Sequence, residues 1–234
     1  MISVALIGAD GAGKTSIANR LRETFPRPIK YIYMGINIES SNVALPTSRL
    51  IEFVRKLKQR KNGSDAPEST SLHHRPASGK KRGLLKSIWL FVRLLNRLAE
   101  EWYRQLLSWI YRKRGYLVLY DRHFLFDFEE NGLNGKKLDL PLAERIHRWC
   151  LHKFYPEPDL VLFLDAPAEV LYARKKEASL EYLSARRAAF LAQGEKTRNF
   201  CTIDATRPIE VVYTEVRQKI EGLYQTGRMD DSTG

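Results

Sequence analysis

Short runs of apolar residues recur along the chain, separated by stretches in which apolar residues return every three or four positions. The runs are continuous rather than alternating, which is typical of parallel strands covered on both faces. Strands that alternate with helical stretches predict an α/β fold with a five-stranded parallel sheet and helices on both faces. The predicted strands are Ile2–Ile7, Ile29–Met34, Tyr116–Tyr120, Leu160–Leu164 and Phe200–Ile203.

Each predicted strand is followed by glycine or by polar residues. In chain order these are a glycine-rich loop, Gly35, the pair Asp121-Arg122, Asp165 and Asp204. Ligands of open parallel sheets bind beyond the carboxyl ends of the strands, because those ends meet at one edge. We therefore expect the functional site at this edge, within a single domain that spans residues 1–234.

One segment, from Asn62 to Gly83, departs from this pattern. It is rich in glycine, serine, proline and basic residues and has few large apolar side chains, so we predict a disordered basic insertion. Basic helical stretches flank it, at about 48–61 and over Leu84–Arg114. The polar tail from Met229 to Gly234 is also predicted to be disordered.

The stretch Leu84–Arg114 predicts one long amphipathic helix. Its apolar stripe contains Ile88, Phe91, Val92, Leu95, Leu98, Trp102, Leu106, Trp109 and Ile110, and its other face carries Lys86, Arg93, Arg97 and Arg104. Two interpretations stay open at this point. The stripe can pack on the sheet as part of the core, or it can lie on a membrane surface with its arginines toward anionic lipid.

Composition narrows the class of partner. The 234 residues carry a formal net charge of +12, and much of the excess lies between Arg49 and Arg114. Such a balance favours anionic partners, namely nucleotides, nucleic acid or an acidic membrane surface. Cys150 and Cys201 have no metal-binding spacing, and the first strand begins at Ile2, which leaves no room for a signal peptide. We expect a reduced, cytoplasmic protein without a membrane-spanning run.

Candidate chemistry begins with residues 8–15, which read GADGAGKT and match the pattern G-x-x-x-x-G-K-[ST]. They lie between the first predicted strand and a helical stretch at Ser16–Thr24, which is the context of a phosphate-binding P-loop. The glycines let backbone N–H groups line a concavity, and the helix adds its positive N-terminal end. Lys14 is expected to reach the β- and γ-phosphates and Thr15 to bind Mg²⁺, so the chain is predicted to bind a nucleoside triphosphate.

A second motif follows the third predicted strand, where the chain reads Asp121-Arg122-His123. An acid at the end of an apolar strand indicates a Walker B element, whose carboxylate holds Mg²⁺ or its water shell. Arg122 is expected in the same cleft, where its guanidinium suits bidentate capture of a phosphate. His123 is interpreted as a supporting polar residue, because phosphoryl transfer needs little acid–base chemistry.

These motifs together resemble those of the thymidylate kinases. GADGAGKT has an acid at Asp10, YDRH resembles the D-R-[YH] element, and Pro158–Lys175 resembles the fourth strand, a Pro-x-Glu turn and the helix leading to a lid. Ile203–Pro208 resembles the loop that cups the adenine of ATP. The similarity covers both ends and the centre of the chain. It implies the P-loop NTPase fold of the nucleoside and nucleotide kinase branch, with a lid, and ATP and Mg²⁺ as cofactors.

The resemblance also implies roles for individual residues. Asp10 would contact the acceptor's sugar hydroxyl, Arg122 would hold the acceptor phosphate, and Arg174 would begin the lid near the adenine. Gly11 stands where some members have an arginine, which implies that a lid cation neutralises the transferring group; Arg187 is the candidate, with Lys175, Lys176 and Arg186 beside it. The catalytic set is Lys14, Asp10, Arg122, Asp121 and Arg187. The donor-binding set is Gly8, Gly11, Ala12, Gly13, Lys14, Thr15, Ser16, Arg174, Asp204, Ala205 and Thr206, with metal at Thr15 and Asp121.

The chain departs from the thymidylate kinase pattern on the acceptor side. Residues 33–37 stand where the family has an Arg-Glu-Pro-Gly element, and the nearest match to its thymine-reading Phe/Arg pair, Trp89 and Arg93, lies about two helical turns too far before Asp121. The predicted acceptor is a nucleoside monophosphate, dTMP first. One alternative is a sugar or lipid-linked alcohol as acceptor. The other is a nucleotide-dependent nucleic-acid-binding protein, although the sequence contains no base-reading motif. A homodimer and a peripheral contact with an anionic membrane stay open.

Overall fold

The computed structural model describes residues 2–35, 80–128 and 142–231, in which five strands alternate with helices. The strands are β1 (Ser3–Ile7), β2 (Ile29–Tyr33), β3 (Leu117–Asp121), β4 (Leu160–Asp165) and β5 (Phe200–Asp204). The helices are α1 (Lys14–Thr24), α2 (Lys80–Lys113), α3 (Phe124–Phe128), α4 (Leu142–Phe154), α5 (Ala168–Arg174), α6 (Leu180–Gly194) and α7 (Ile209–Asp231). All five predicted strands are present, within a residue or two of their predicted ends.

The five strands are parallel and lie in the order β2-β3-β1-β4-β5. β1 is buried along its whole length and pairs with β3 and β4, with Ser3 opposite Val118 and Val4 opposite Leu160. The strands that follow β1 in the chain lie on both sides of it, so the strand order reverses there. Such a switch point opens a crevice beyond the carboxyl ends of the strands. The glycine-rich loop after β1 therefore begins inside that crevice.

Alternate residues of the central strands enter two separate apolar layers. One layer contains Leu6 and Leu119 together with side chains of α1 and α7. The other contains Val118 and Phe163 together with aromatic rings of α3 and α6. Burial on both faces explains why the strands read as continuous apolar runs. The predicted five-stranded sheet with helices on both faces is confirmed.

Two helices are longer than the sequence predicts. α2 begins at Lys80 rather than Leu84, so residues 80–83 are helical and not part of a disordered insertion. α7 continues to Asp231, which takes in the first half of the tail predicted to be disordered. Neither extension contains a proline, so the backbone hydrogen bonds of each helix can continue. The rest of the predicted insertion, the predicted helix at about 48–61 and residues 232–234 lie outside the described residues.

The described part of α2 faces the other way from what the core-packing interpretation predicts. Its apolar stripe is exposed, with relative exposures between 47% and 57%, at Phe91, Val92, Leu95, Trp102, Leu106 and Trp109. Apart from Leu94, its described buried residues are polar, namely Glu100, Glu101, Arg104, Gln105 and Ser108. The interpretation of the stripe as core is wrong at these positions. Arg104, predicted on the solvated basic face, is 1% exposed.

Specific partners explain why polar residues of α2 face inward. Nε2 of His147 in α4 donates to the Glu101 carboxylate at 2.8 Å, and Nη1 of Arg104 donates to the carbonyl of Gly35 at 3.1 Å. Buried polar groups are tolerated when they are hydrogen-bonded. These partners lie far along the chain, so the helical periodicity could not reveal them. No helix among the described residues has the length and apolar character needed to cross a membrane.

Candidate active site

The loop between β1 and α1 depends on its glycines. Gly8, Gly11 and Gly13 have φ angles of 149°, 91° and 88°, in the region that side chains rarely adopt. A Cβ at Gly8 would lie 2.8 Å from the carbonyl oxygen of Leu164, and one at Gly11 would lie 2.9 Å from that of Leu171. No side chain fits at these two positions, so an arginine at position 11 is excluded in this chain. Gly13 caps α1 without a side-chain hydrogen bond, which leaves the N–H groups of the first turn for a ligand.

Lys14 is the buried charge of this loop, with 7% of its surface exposed. Its Nζ donates to the carbonyls of Gly8 and Ala9 at 2.9 Å each and lies 3.8 Å from Oδ1 of Asp10. Burial lowers the pKa of Lys14 to about 8, although the charge of Asp10 opposes this shift. Because water has little access to this position, the ammonium interacts strongly with any anion that enters the loop.

Asp10 and Arg122 form an ion pair across the crevice. Nη2 of Arg122 donates to Oδ1 of Asp10 at 2.8 Å. Burial raises the pKa of Asp10, but the charges of Arg122, Lys14 and Arg186 outweigh burial and hold the pKa below its usual value. Arg122 has a φ of 61°, and its backbone N–H donates to Leu6 at 3.1 Å, so the chain turns sharply where β3 ends. This turn aims the guanidinium at the P-loop.

Asp121 is buried and is held by a tyrosine that the sequence did not indicate. The hydroxyl of Tyr31 donates to Oδ2 of Asp121 at 2.5 Å, while Oδ1 is buried without a hydrogen-bond partner. Burial, followed by the bond to Asp121, raises the pKa of Tyr31. The alternation of Tyr31 and Tyr33 about Ile32 in β2 was the available signal, because alternate residues share a face. One fixed and one unpaired oxygen suit a carboxylate that supports a metal ion or its water.

These groups line one cavity of about 530 Å³ at the carboxyl ends of β1, β2 and β3. The lining residues are Asp10, Gly11, Gly13, Lys14, Thr15, Ser16, Tyr31, Tyr33, Asp121, Arg122, Arg174 and Lys175. The structure thus brings together most of the predicted donor-binding and catalytic residues. Among the predicted residues outside this lining are Gly8 and Ala12, which shape the loop, and Arg187, Asp204, Ala205 and Thr206.

The predicted adenine loop follows β5 and is joined to the cavity through Arg174. Nη1 of Arg174, at the end of α5, donates to the carbonyl of Ala205 at 2.9 Å. Oδ1 of Asp204 accepts from the backbone N–H and the hydroxyl of Thr206 at 2.9 and 2.6 Å, and these bonds lower the pKa of Asp204. The backbone N–H of Ala205 donates to the carbonyl of Asp165 at 2.7 Å. A short, internally bonded turn therefore stands next to the arginine that reaches the cavity.

Arg187 and Arg186 have different surroundings, although they are neighbours in α6. Arg187 makes a two-pronged ion pair with Asp165 at the end of β4, with distances of 2.6 and 2.8 Å. Arg186 is 5% exposed, donates to the hydroxyl of Tyr182 at 2.8 Å and contributes to the lowered pKa of Asp10. Arg186 therefore acts electrostatically on the P-loop, whereas Arg187 is engaged outside the cavity lining. Lys175 lies in that lining and pairs with Glu177 at 2.8 Å.

Comparisons with known proteins give partial relatives. No protein-family model matches the chain. Over 118 residues the chain is 28% identical to a thymidylate kinase from Leifsonia xyli subsp. xyli, a match covering 47% of the chain and 56% of that relative. Over 142 residues it is 25% identical to a thymidylate kinase from Thermosipho melanesiensis, covering 57% of the chain and 67% of that relative. The chain thus spans little more than half the length of the first relative.

A solved structure extends the comparison to most of the chain. It is a deoxyadenosine kinase from M. mycoides with the products dCMP and a flexible dCDP bound, and it covers 94% of this chain and 100% of its own. The TM-score is 0.52 at 15% identity, which shows a shared fold. The chain is related to the P-loop nucleoside and nucleotide kinases. This relationship agrees with the resemblance found in the sequence motifs.

The structure also shows a buried arginine, Arg104, that the sequence analysis placed on the basic face of α2. The guanidinium of Arg104 lies 5.6 Å from the ring centroid of Phe124, and its Nη1 donates to the carbonyl of Gly35, two residues beyond the end of β2. Burial lowers the pKa of Arg104, while Glu100 and Glu101 oppose that shift. Its Nε is buried without a hydrogen-bond partner. Arg104 thus fixes the point at which β2 enters the segment that departs from the thymidylate kinase pattern.

His123 is an apolar packing residue rather than a polar support. Its ring contacts those of Tyr120, Phe124 and Phe126, and neither ring nitrogen has a hydrogen-bond partner. Burial lowers the pKa of His123 to about 3, so the imidazole is neutral at ordinary pH. The interpretation of His123 as a supporting polar residue is wrong. Position 123 directly follows the turn at Arg122, and its side chain enters the apolar layer of Tyr120, Phe124 and Phe126.

Proposed function

We propose that this chain is an ATP- and Mg²⁺-dependent phosphotransferase that transfers the γ-phosphoryl group of ATP to a nucleoside monophosphate, with dTMP the first candidate. The observation that carries this proposal is the convergence of Lys14, Asp121 and Arg122 on one cavity beside the P-loop. Lys14 follows β1, whereas Asp121 ends β3 and Arg122 comes directly after it. Together they provide a phosphate ligand, a metal-supporting carboxylate and a second phosphate ligand.

The donor half of the site fits a nucleoside triphosphate. The strained glycines and the uncapped first turn of α1 present backbone N–H groups, and Lys14 adds a buried ammonium. Arg174, bonded to Ala205, stands where the base would meet the loop after β5. We propose that Gly8–Ser16 hold the phosphates and that Arg174 and Asp204–Thr206 hold the adenine. Stacking and backbone contacts of this kind bind a nucleotide without covalent chemistry.

The residues present also fit Mg²⁺. The orphaned Oδ1 of Asp121 is a hard, buried oxygen, and Thr15 lines the same cavity. Mg²⁺ prefers such oxygens and is usually held by one or two protein ligands together with substrate phosphates. When bound, the ion supplies charge neutralisation at the phosphate oxygens. Tyr31 keeps the carboxylate of Asp121 oriented through the hydrogen bond to Oδ2.

In the proposed mechanism the acceptor attacks in line and no covalent enzyme intermediate forms. Lys14 exchanges its bonds to the Gly8 and Ala9 carbonyls for the β- and γ-phosphate oxygens and stabilises the charge that develops there. Arg122 holds the acceptor phosphate, and Asp10, already paired with it, orients the guanidinium and contacts the acceptor sugar. These groups mainly position the reactants, which suits a reaction that needs little acid–base catalysis.

The lid supplies the remaining positive charge in this proposal, since position 11 admits no side chain. Arg187 is the candidate from the sequence resemblance, and it must leave Asp165 to reach the cavity. Arg186 and Lys175 already act on Asp10 electrostatically, which supports either of them as a rival. A cation that completes the site on lid closure contributes several orders of magnitude to such reactions.

A second acceptor class, a sugar or a lipid-linked alcohol, is favoured by one observation. The acceptor side differs from the thymidylate kinase pattern and borders α2, whose apolar stripe is exposed. An exposed apolar stripe would bring the chain close to a membrane-associated acceptor. A freely diffusing nucleotide would not require such a surface. The donor half of the mechanism is the same for both classes.

An ADP-release screen with purified protein over nucleosides, nucleoside monophosphates, sugars and polyprenyl alcohols tests the proposal. We expect ADP release to depend on Mg²⁺ and on one acceptor class, with dTMP the most active. Release with a sugar or an alcohol alone would move the assignment to the second acceptor class. The absence of acceptor-dependent release across the panel, despite ATP binding, would contradict the kinase proposal itself.

A further inference from the structure

An exposed apolar surface covers parts of α2 and α4. The two helices pack against each other, and the ring of Trp102 contacts that of Tyr155, just after α4, at 5.4 Å between centroids. Trp149 and Phe154 of α4 contact edge to face at 5.4 Å. We call this surface the apolar face; its exposed side chains are Phe91, Val92, Leu95, Trp102, Leu106, Trp109, Ile146, Trp149 and Phe154.

The size of the apolar face sets it apart from ordinary surface. Its side chains are between 39% and 59% exposed. The five aromatic ones alone leave on the order of 500 Å² uncovered if each offers roughly 150–250 Å², and the four aliphatic ones add to this area. The largest apolar patch on a typical monomeric protein is about 300–600 Å². Surfaces above that size mark contacts with proteins or membranes.

The charges around the apolar face indicate which contact it makes. Among the described side chains of α2 and α4, the exposed charges are all positive and belong to Lys113, Arg145 and Lys153. The Lys113 ammonium lies 4.4 Å from the ring centroid of Trp109. The acids in the same described stretch, Glu100 and Glu101, are buried. The face therefore combines tryptophan, aliphatic side chains and cations, in a chain whose net charge is +12.

We propose that the apolar face docks on the surface of an anionic lipid bilayer. Tryptophan is enriched at the membrane interface because its ring is apolar and its N–H remains wet, and flanking cations are attracted to anionic headgroups. A two-fold contact with a second copy pairs a surface with itself, so this face would offer no described acid to the partner's cations. The bilayer is the partner whose charge complements the face. The contact is peripheral, and it does not depend on the proposed phosphotransfer.

Co-sedimentation of the full chain with vesicles tests this docking. The vesicles contain phosphatidylcholine alone or phosphatidylcholine with phosphatidylserine. We expect binding to the anionic vesicles, weakening as salt rises, and little binding to the neutral ones. Replacing Arg145 and Lys153 by Gln should weaken the binding about fivefold per charge. A wild-type protein that does not bind anionic vesicles at low salt would overturn the proposal.

A basic protein can also adhere to anionic vesicles through any surface, so apolar variants decide which face binds. Leu95→Gln with Leu106→Gln removes two exposed leucines of α2, and Leu191→Gln with Val211→Gln is the matched change on α6 and α7. We expect the first pair to reduce vesicle binding at least tenfold and the second to leave it within twofold, with unchanged ATP binding in both. Equal binding by both double variants would overturn the proposal. So would a dimer in light scattering that only the α2 variant dissociates, because the face would then join two copies.

Discussion

The proposed donor half of the site and its proposed acceptor half are built in different ways. The donor half, around residues 8–16, is a local structure in which glycines of positive φ and the start of α1 present backbone groups to a phosphate. The proposed acceptor half depends on residues that are distant in the chain, such as Arg122 on Asp10 and Arg104 on Gly35. A local backbone structure tolerates little sequence change, whereas side chains from separate elements can be replaced one at a time. This difference is consistent with the sequence, in which residues 8–15 match the P-loop pattern and residues 33–37 depart from the thymidylate kinase pattern.

The largest effect is expected at the centre of the donor half. Lys14→Ala should lower turnover by about a thousandfold or more, because the ammonium stabilises charge in the transition state rather than the core. The change should leave the fold intact, as judged by thermal unfolding and circular dichroism. Steady-state kinetics with the acceptor found in the screen measure the effect. Turnover within about tenfold of wild type would contradict the proposed catalytic role of Lys14 and of the P-loop.

Arg122→Lys separates the two halves and should be the next largest effect. A point charge cannot replace the planar fork that bonds Asp10, so we expect a loss of about a hundredfold in kcat/KM for the acceptor. ATP affinity, measured by calorimetry, should change less than threefold. If ATP binding collapses while acceptor binding persists, Arg122 belongs to the donor half and the comparison fails at this residue.

Arg104→Met tests whether the acceptor half is held from a distance. The variant keeps the length of the side chain over Phe124 but loses the bond to the Gly35 carbonyl and leaves Glu100 and Glu101 without that charge. We expect a loss of about 1–3 kcal/mol in the free energy of unfolding, since a buried carbonyl loses its donor. Acceptor KM should rise while ATP affinity stays constant. Arg114→Met, an exposed position just beyond α2, is the control and should change none of the three.

His123→Phe should have the smallest effect at neutral pH, because the imidazole is neutral and unpaired among aromatic rings. Its pKa is about 3 in the fold, against an ordinary 6.5. The unfolded chain therefore takes up a proton below pH 6.5 that the folded chain refuses until about pH 3, so stability falls as pH falls through that window. The variant should lose less stability than wild type between pH 6.5 and pH 5 in urea unfolding.

His147→Phe is the matched contrast for His123→Phe. His147 is equally buried but donates to Glu101, so the same substitution leaves a buried carboxylate without that donor and should destabilise at every pH. Identical unfolding curves for the two variants across pH would contradict the difference assigned to these histidines.

Local features of the chain could be predicted from the sequence. The five strands follow from continuous apolar runs, and the P-loop follows from glycines whose positive φ other residues rarely adopt. Asp121 and Arg122 could be assigned to the cleft because the end of a parallel strand fixes their location.

Features that depend on distant partners could not be predicted. The polar side of α2 is buried because His147 and Gly35 offer it hydrogen bonds, and nothing in the 3.6-residue period of the helix reports on those partners. Arg186 and Arg187 are equivalent in the sequence, but Asp165 at the end of β4 holds Arg187 alone. In each case a long-range polar contact overrides a sound local pattern.

Transfer of labelled phosphate from [γ-³²P]ATP, resolved by thin-layer chromatography, tests the central claim most directly. The account predicts that the wild type moves the label onto a nucleoside monophosphate, dTMP first, to give the diphosphate, and that Lys14→Ala does not. Label that appears only as inorganic phosphate whatever acceptor is added, or transfer that survives Lys14→Ala, would contradict it.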